Sequence, residues 1–197
     1  MKKINKTSIK LICTILVMVG FMSCNLAGLD LQQDYKYTYA PIELTMNMTA
    51  YQFIESRKNI DMSLLYEAIN RAGVRDSFET QNRTYIAMND IAFSSYLTAK
   101  RYEGVKFVPM VDLKKLLNQY IVIGKYTTLE LTTFPLKVQT VDPATQLVFL
   151  LKPASIDTQN KYYFYVGLLG KQFAYYVVSQ NLQPTNGFIH VTESYLQ

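Results

Sequence analysis

His190 is the only histidine among 197 residues, which restricts the chemistry open to this chain. A histidine-centred zinc site would have to draw its other ligands from carboxylates, because neither of the two cysteines, Cys13 and Cys24, lies outside the first two dozen residues. A Ser-His-Asp arrangement is recognised by geometry, yet no Gly-x-Ser-x-Gly elbow occurs, and Ile189-His190-Val191 alternates like the middle of a strand. A histidine in that setting reads as a hydrogen-bonded structural residue. None of the eight glycines forms a phosphate-binding loop or a Gly-x-Gly-x-x-Gly run. The 15 acidic residues are scattered, so their spacing singles out no glycosidase pair. The expectation is a non-catalytic chain with no cofactor and no metal.

Aromatic residues carry the remaining chemistry. Tyr162, Tyr163, Phe164, Tyr165, Phe173, Tyr175 and Tyr176 crowd into two candidate strands. Successive strand residues point to opposite faces, so Tyr163 and Tyr165 share one face while Tyr162 and Phe164 share the other. One face packs on the core, and the other shows tyrosine rings to solvent. Tyr162, Tyr163, Tyr165, Tyr175 and Tyr176 are therefore the candidate ligand surface, suited to stacking on sugar rings or to a protein interface. Cross-strand aromatic pairs that only stabilise the sheet would use the same residues.

The net charge of +5 does not mark a nucleic-acid binder. Lys2, Lys3, Lys6 and Lys10 precede residue 24 with no acid among them, and without them 16 basic residues face 15 acidic ones. No clustered basic face is left to meet phosphates. Those lysines open a secretory-leader pattern, followed by a 12-residue largely apolar run at 11–22, short of the roughly 20 residues that span a bilayer. The run ends Phe21-Met22-Ser23-Cys24, which resembles the lipobox of bacterial lipoproteins. That resemblance implies cleavage after residue 23 and lipid on Cys24. Two or three acyl chains there would anchor the protein stably in a membrane. Cys13 would leave with the leader, so no disulfide framework is expected.

Local signals then lay out the elements. Residues 24–45 read as a tether, in which Tyr35, Tyr37 and Tyr39 form either a short edge strand or an extended aromatic linker. Thr49 and Gln52 have capping-box spacing before a helix at 50–58. A second helix at 62–72, capped by Asp61 or Ser63 and stopped by Gly73, has Leu64, Leu65, Ala68, Ile69 and Ala72 as its apolar stripe. Residues 85–88 form a buried strand that turns directly into a helix running through Leu97. Asn89 is its N-cap, and Asp90 sits at the positive end of its dipole. The connection 100–109 has weak strand character at Val105, Phe107 and Val108. Asp112 then caps an amphipathic helix bearing Leu113, Leu116, Leu117 and Tyr120. Strands follow at 121–123, 129–131, 136–141, 146–151, 161–168, 172–179 and 188–192, with turns at Asp142-Pro143 and Gly170-Lys171. Helices first and strands second is the segregated α+β pattern.

Three stretches resemble the motifs of the fasciclin domain family. Ala87, Asn89, Asp90, Ala92 and Phe93 match the strand-to-helix motif of that family, with Met88 in place of the usual proline-threonine pair. Residues 116–125 resemble its tyrosine-histidine motif, with Tyr120 as the tyrosine and Ile121 where histidine is typical. Asn186-Gly187-Phe188-Ile189-His190-Val191 is similar to its closing signature, with Glu193 displaced from the usual Ile-Asp pair. The resemblance covers residues 46–197. It implies a wedge or sandwich of about seven strands under an N-terminal helical layer, with Asn89, Phe93, Tyr120, Asn186, Gly187 and His190 as structural residues. It also implies non-catalytic adhesion through protein or polysaccharide ligands at a cell surface. The tyrosine content and single-domain format resemble fasciclin-like lipoproteins of Bacteroidetes-type bacteria. The expected product is a lipid-anchored adhesion protein of the outer membrane, facing the periplasm or the exterior. A glycan-binding accessory of a polysaccharide uptake system is the alternative.

Overall fold

A computed structural model describes residues 45–153, 162–171 and 175–197. The expected leader, Cys24 and the tyrosines of the expected tether fall outside the described residues, as do Lys161 and Phe173.

Helix α1 (Ala50–Ser56) begins with the capping box its sequence announces. Thr49 Oγ1 accepts from the Gln52 amide at 3.2 Å, and Gln52 Oε1 accepts from the Thr49 amide at 2.8 Å. Helix α2 (Ser63–Ala72) buries Leu65, Ala68, Ile69 and Ala72 and ends at Gly73, whose φ of +64° is cheap only for glycine. Its start corrects the sequence expectation. Neither Asp61 nor Ser63 caps it; Asp90, 26 residues on, accepts from the Leu64 amide at 2.9 Å and from the Ser63 hydroxyl at 2.8 Å. Asp61 is occupied instead by a bidentate pair with Arg57. A third helix, α3 (Arg75–Glu79), carries no cap signal in its sequence and buries Phe78.

Strand β1 (Arg83–Met88) leads through the Asn89 cap into α4 (Asp90–Lys100), with Asn89 Oδ1 accepting from the Ala92 amide at 3.1 Å. The connection after α4 forms a short 3-10 turn, Val105–Phe107, rather than a strand. Helix α5 (Met110–Gln119) starts after Pro109, so Asp112 lies within its first turn and is not its cap. Strand β2 (Ile121–Ile123) follows at once. The expected strand at 129–131 is instead a second 3-10 turn, Thr128–Glu130, because an alternation as short as Leu129-Glu130-Leu131 carries no period that separates turn from strand. Strands β3 (Leu136–Gln139), β4 (Gln146–Pro153), β5 (Tyr162–Leu168), β6 (Tyr175–Leu182) and β7 (Gly187–Thr192) complete the described chain.

The strand order is β2-β1-β7-β6-β5-β4-β3, with β1 and β7 parallel and every other pair antiparallel. Register shifts along β6, between Val177 and Leu182, bend the array into two sheets that share this strand. The two edge strands then meet, through a bridge between Val122 and Thr140 and a 2.8 Å bond from the Val141 amide to the Ile121 carbonyl. The architecture is α+β. Rings from β4, β5 and β7 fill the space between the sheets: Phe149 meets Phe164 at 5.1 Å, and Phe164 meets His190 at 4.8 Å.

Candidate functional site

The residues that carry the motif resemblance form a buried node joining distant parts of the chain. Asn186 is fully buried, and its side chain reaches three segments. Its Oδ1 accepts from the Ala50 amide at 2.9 Å, while its Nδ2 donates to the Phe78 and Thr80 carbonyls and to the Tyr85 hydroxyl. Tyr85 in turn donates to the Thr80 carbonyl at 2.8 Å. Gly187 pairs with Arg83 across the parallel ladder, where an added Cβ would sit 1.9 Å from the Arg83 carbonyl oxygen. Only glycine lets these two backbones approach so closely.

His190 accepts at Nδ1 from the Asn181 amide at 3.2 Å, and its Nε2 lies 3.0 Å from the Tyr126 carbonyl. A carbonyl only accepts, so the arrangement requires the neutral tautomer protonated at Nε2. Burial pushes its pKa down to about 4, with the Tyr126 carbonyl opposing weakly. Both ring nitrogens are engaged, which leaves none to move a proton for a substrate. Tyr120, also buried, accepts from the Leu196 amide at 2.6 Å, and burial raises its pKa. Asn89 adds a 3.4 Å contact to Glu193, and Phe93 is fully buried. All six motif residues are buried.

The candidate ligand surface divides. Tyr163 pairs with Lys152 and Tyr165 with Leu150 across β4 and β5, so these residues share the outer face, as alternation requires. Lys152 Nζ lies 4.5 Å from the centre of the Tyr165 ring. Tyr162 belongs to the inner set with Phe164, but it stands at the strand end and is 49% exposed, against 47% for Tyr163. Tyr175 is a correction. It pairs with Val166 on the inner face and is 9% exposed, so it packs in the core and cannot belong to a ligand surface. Tyr176 pairs with Tyr165 through its backbone, and its side chain lies outside what is described.

Among the described residues no group of three or more His, Cys, Asp or Glu side chains could hold a metal ion. No helix among them is long and apolar enough to cross a membrane. Sequence reading passed over a cleft lined by Tyr96, Tyr102 and Tyr195 together with Lys100, Asp112 and Lys115. These residues come from three separate segments, and their only common signal in the sequence is an excess of tyrosine.

A family model described as the fasciclin domain matches residues 61–197. Among solved structures, the chain is similar to a FAS1 domain pair from the insect cell adhesion molecule fasciclin I, with 19% identity and a TM-score of 0.55. That similarity covers 71% of this chain and 46% of the insect one, so the chain spans under half of the protein it resembles. No curated protein sequence matches.

Proposed function

Because the chain belongs to the fasciclin domain family, whose members are commonly adhesion or interaction modules, we propose that it is a non-catalytic surface interaction protein held on the bacterial outer membrane by lipid on Cys24. The observation that supports this reading is the outer face of β5, which presents half-exposed Tyr163 beside Lys152 and Tyr165, with half-exposed Tyr162 at the strand end. Tyrosine offers a large apolar ring with a polar tip and is enriched where proteins meet. Lys152 already lies over the Tyr165 ring, which favours a protein partner over sugar stacking at that position. A polysaccharide ligand, with the chain as accessory to an uptake channel, is the second reading, favoured by the exposed ring of Tyr162.

Two experiments test the pair. A photoreactive residue at position 163 is expected to cross-link a discrete partner on intact cells, whereas the same residue at exposed Glu67 on α2 is not. Equal cross-linking at both positions removes the proposed face. Intact polysaccharides arrayed against the full-length protein test the second reading. Binding abolished by Tyr162→Ala supports it, and uniform absence of binding ends it. For the anchor, Cys24→Ala is expected to move the protein from the membrane to the soluble fraction. Unchanged fractionation would remove the lipid from the proposal.

A further inference from the structure

Between α4, α5 and the C-terminal segment lies a cleft of about 490 Å³, within the range of roughly 300–1,000 Å³ typical of small-molecule sites. Leu116 and Leu196, both nearly buried, contribute its apolar base. Tyr96 packs edge-to-face against Phe93 at 6.0 Å and against Tyr195 at 5.9 Å. The residue is 6% exposed, and its hydroxyl makes no hydrogen bond to the described residues but is open to solvent in the cleft. Burial, with Tyr102 and Asp112 close by, pushes Tyr96 up to about 12, so the phenol stays a neutral donor. Lys100 and Lys115 line the same cleft, and neither has a salt-bridge partner among the described residues. The cleft therefore combines aromatic walls, an open hydroxyl, one carboxylate that can accept, and two unpaired cations.

We infer that this cleft binds an acidic sugar unit, a uronate. The apolar C–H face of the sugar ring packs on the tyrosines. Its hydroxyls bond to Tyr96 and Asp112, and its carboxylate pairs with Lys100 and Lys115. A plain inorganic anion would leave the rings and Asp112 unused, and an aromatic acid would bring no hydroxyls for Asp112 to accept from. A neutral sugar would leave both lysines unpaired. The site shares carbohydrate chemistry with the polysaccharide reading of the β5 face but none of its residues, so the two stand or fall by different variants.

The test is calorimetric titration of the full-length protein in detergent with digalacturonate, maltose and sodium benzoate. Digalacturonate is expected to bind, with maltose and benzoate weaker by about tenfold. Tyr96→Phe is expected to weaken digalacturonate by about five- to tenfold while leaving thermal stability unchanged, since the hydroxyl supports nothing in the fold. The Lys100→Gln/Lys115→Gln double variant changes only exposed side chains, so folding does not confound it. It is expected to erase the preference over maltose. Absence of heat with digalacturonate, equal affinity for maltose or benzoate, or indifference to the lysine variant would each overturn the assignment. A lower melting temperature for Tyr96→Phe counts against it too, because it would reveal a structural partner for that hydroxyl.

Discussion

At Asn186 four hydrogen bonds from one side chain tie α1, the end of α3 and β1 together inside a fully buried site. Asn186→Ala leaves the Ala50 amide and the Phe78 carbonyl unsatisfied and is expected to cost about 3 kcal/mol, read by urea denaturation. Gly187→Ala drives a methyl into the Arg83 carbonyl, which forces the parallel pair apart. It is expected to cost at least about 3 kcal/mol in the same assay. His190 makes stability depend on pH in a known direction. Its folded pKa of about 4 lies below its ordinary value of 6.5, because the charged form is excluded from the core. Above pH 6.5 neither state carries the extra proton, and nothing is lost. As pH falls from 6.5 towards 4 the unfolded chain takes up a proton that the folded chain refuses. Stability should therefore drop by about 2 kcal/mol by pH 5 and about 3 kcal/mol in all, levelling off below pH 4. Denaturation at a series of pH values checks the window, and His190→Gln should flatten it.

Asp90 links two helices. It lies in the first turn of α4, where its charge complements the dipole, and it caps the start of α2 from outside that helix. Asp90→Ala is expected to cost about 1–2 kcal/mol and to speed amide exchange in the first turns of both helices. Exchange that rises in α4 alone would show that α2 does not depend on it. Elements whose signals lie within four residues were legible: the α1 capping box, the Asn89 cap and the Gly73 stop. The α2 cap was not legible, because its acceptor is a residue 26 positions away. Two 3-10 turns have strand-like sequence, since apolar residues alternating with a charged one over three positions do not distinguish the two conformations.

Over the whole molecule, the last strand holds the sheet together. β7 lies between β1 and β6, so the final described strand supplies the interior link that joins β1, from the first half of the chain, to the strands of the second half. A chain truncated after Leu182 would lose that link together with Asn186, Gly187 and His190. It is expected to show no cooperative unfolding transition by circular dichroism. The ordering also carries a kinetic consequence: long-range pairing of β1 with β7 must close a large loop before it stabilises anything.

The sequence alone determined the α+β class, the run of helices followed by strands, and the residues that would form the family's buried node. These follow from local periodicity and from motif residues whose types tolerate few substitutes. It also determined which tyrosines share a face of β5, because side chains alternate along any strand. Which face turns inward was decided only by the tertiary structure, through what packs against the strand. Tyr175 went into the core, while Tyr162, of the same inward set, stayed exposed at a strand end beyond the reach of its neighbours. The cleft holding Tyr96, Lys100, Lys115 and Tyr195 exists only once α4, α5 and the C-terminal segment come together. No spacing in the sequence encodes it, because a site assembled from separate segments is set by how they pack.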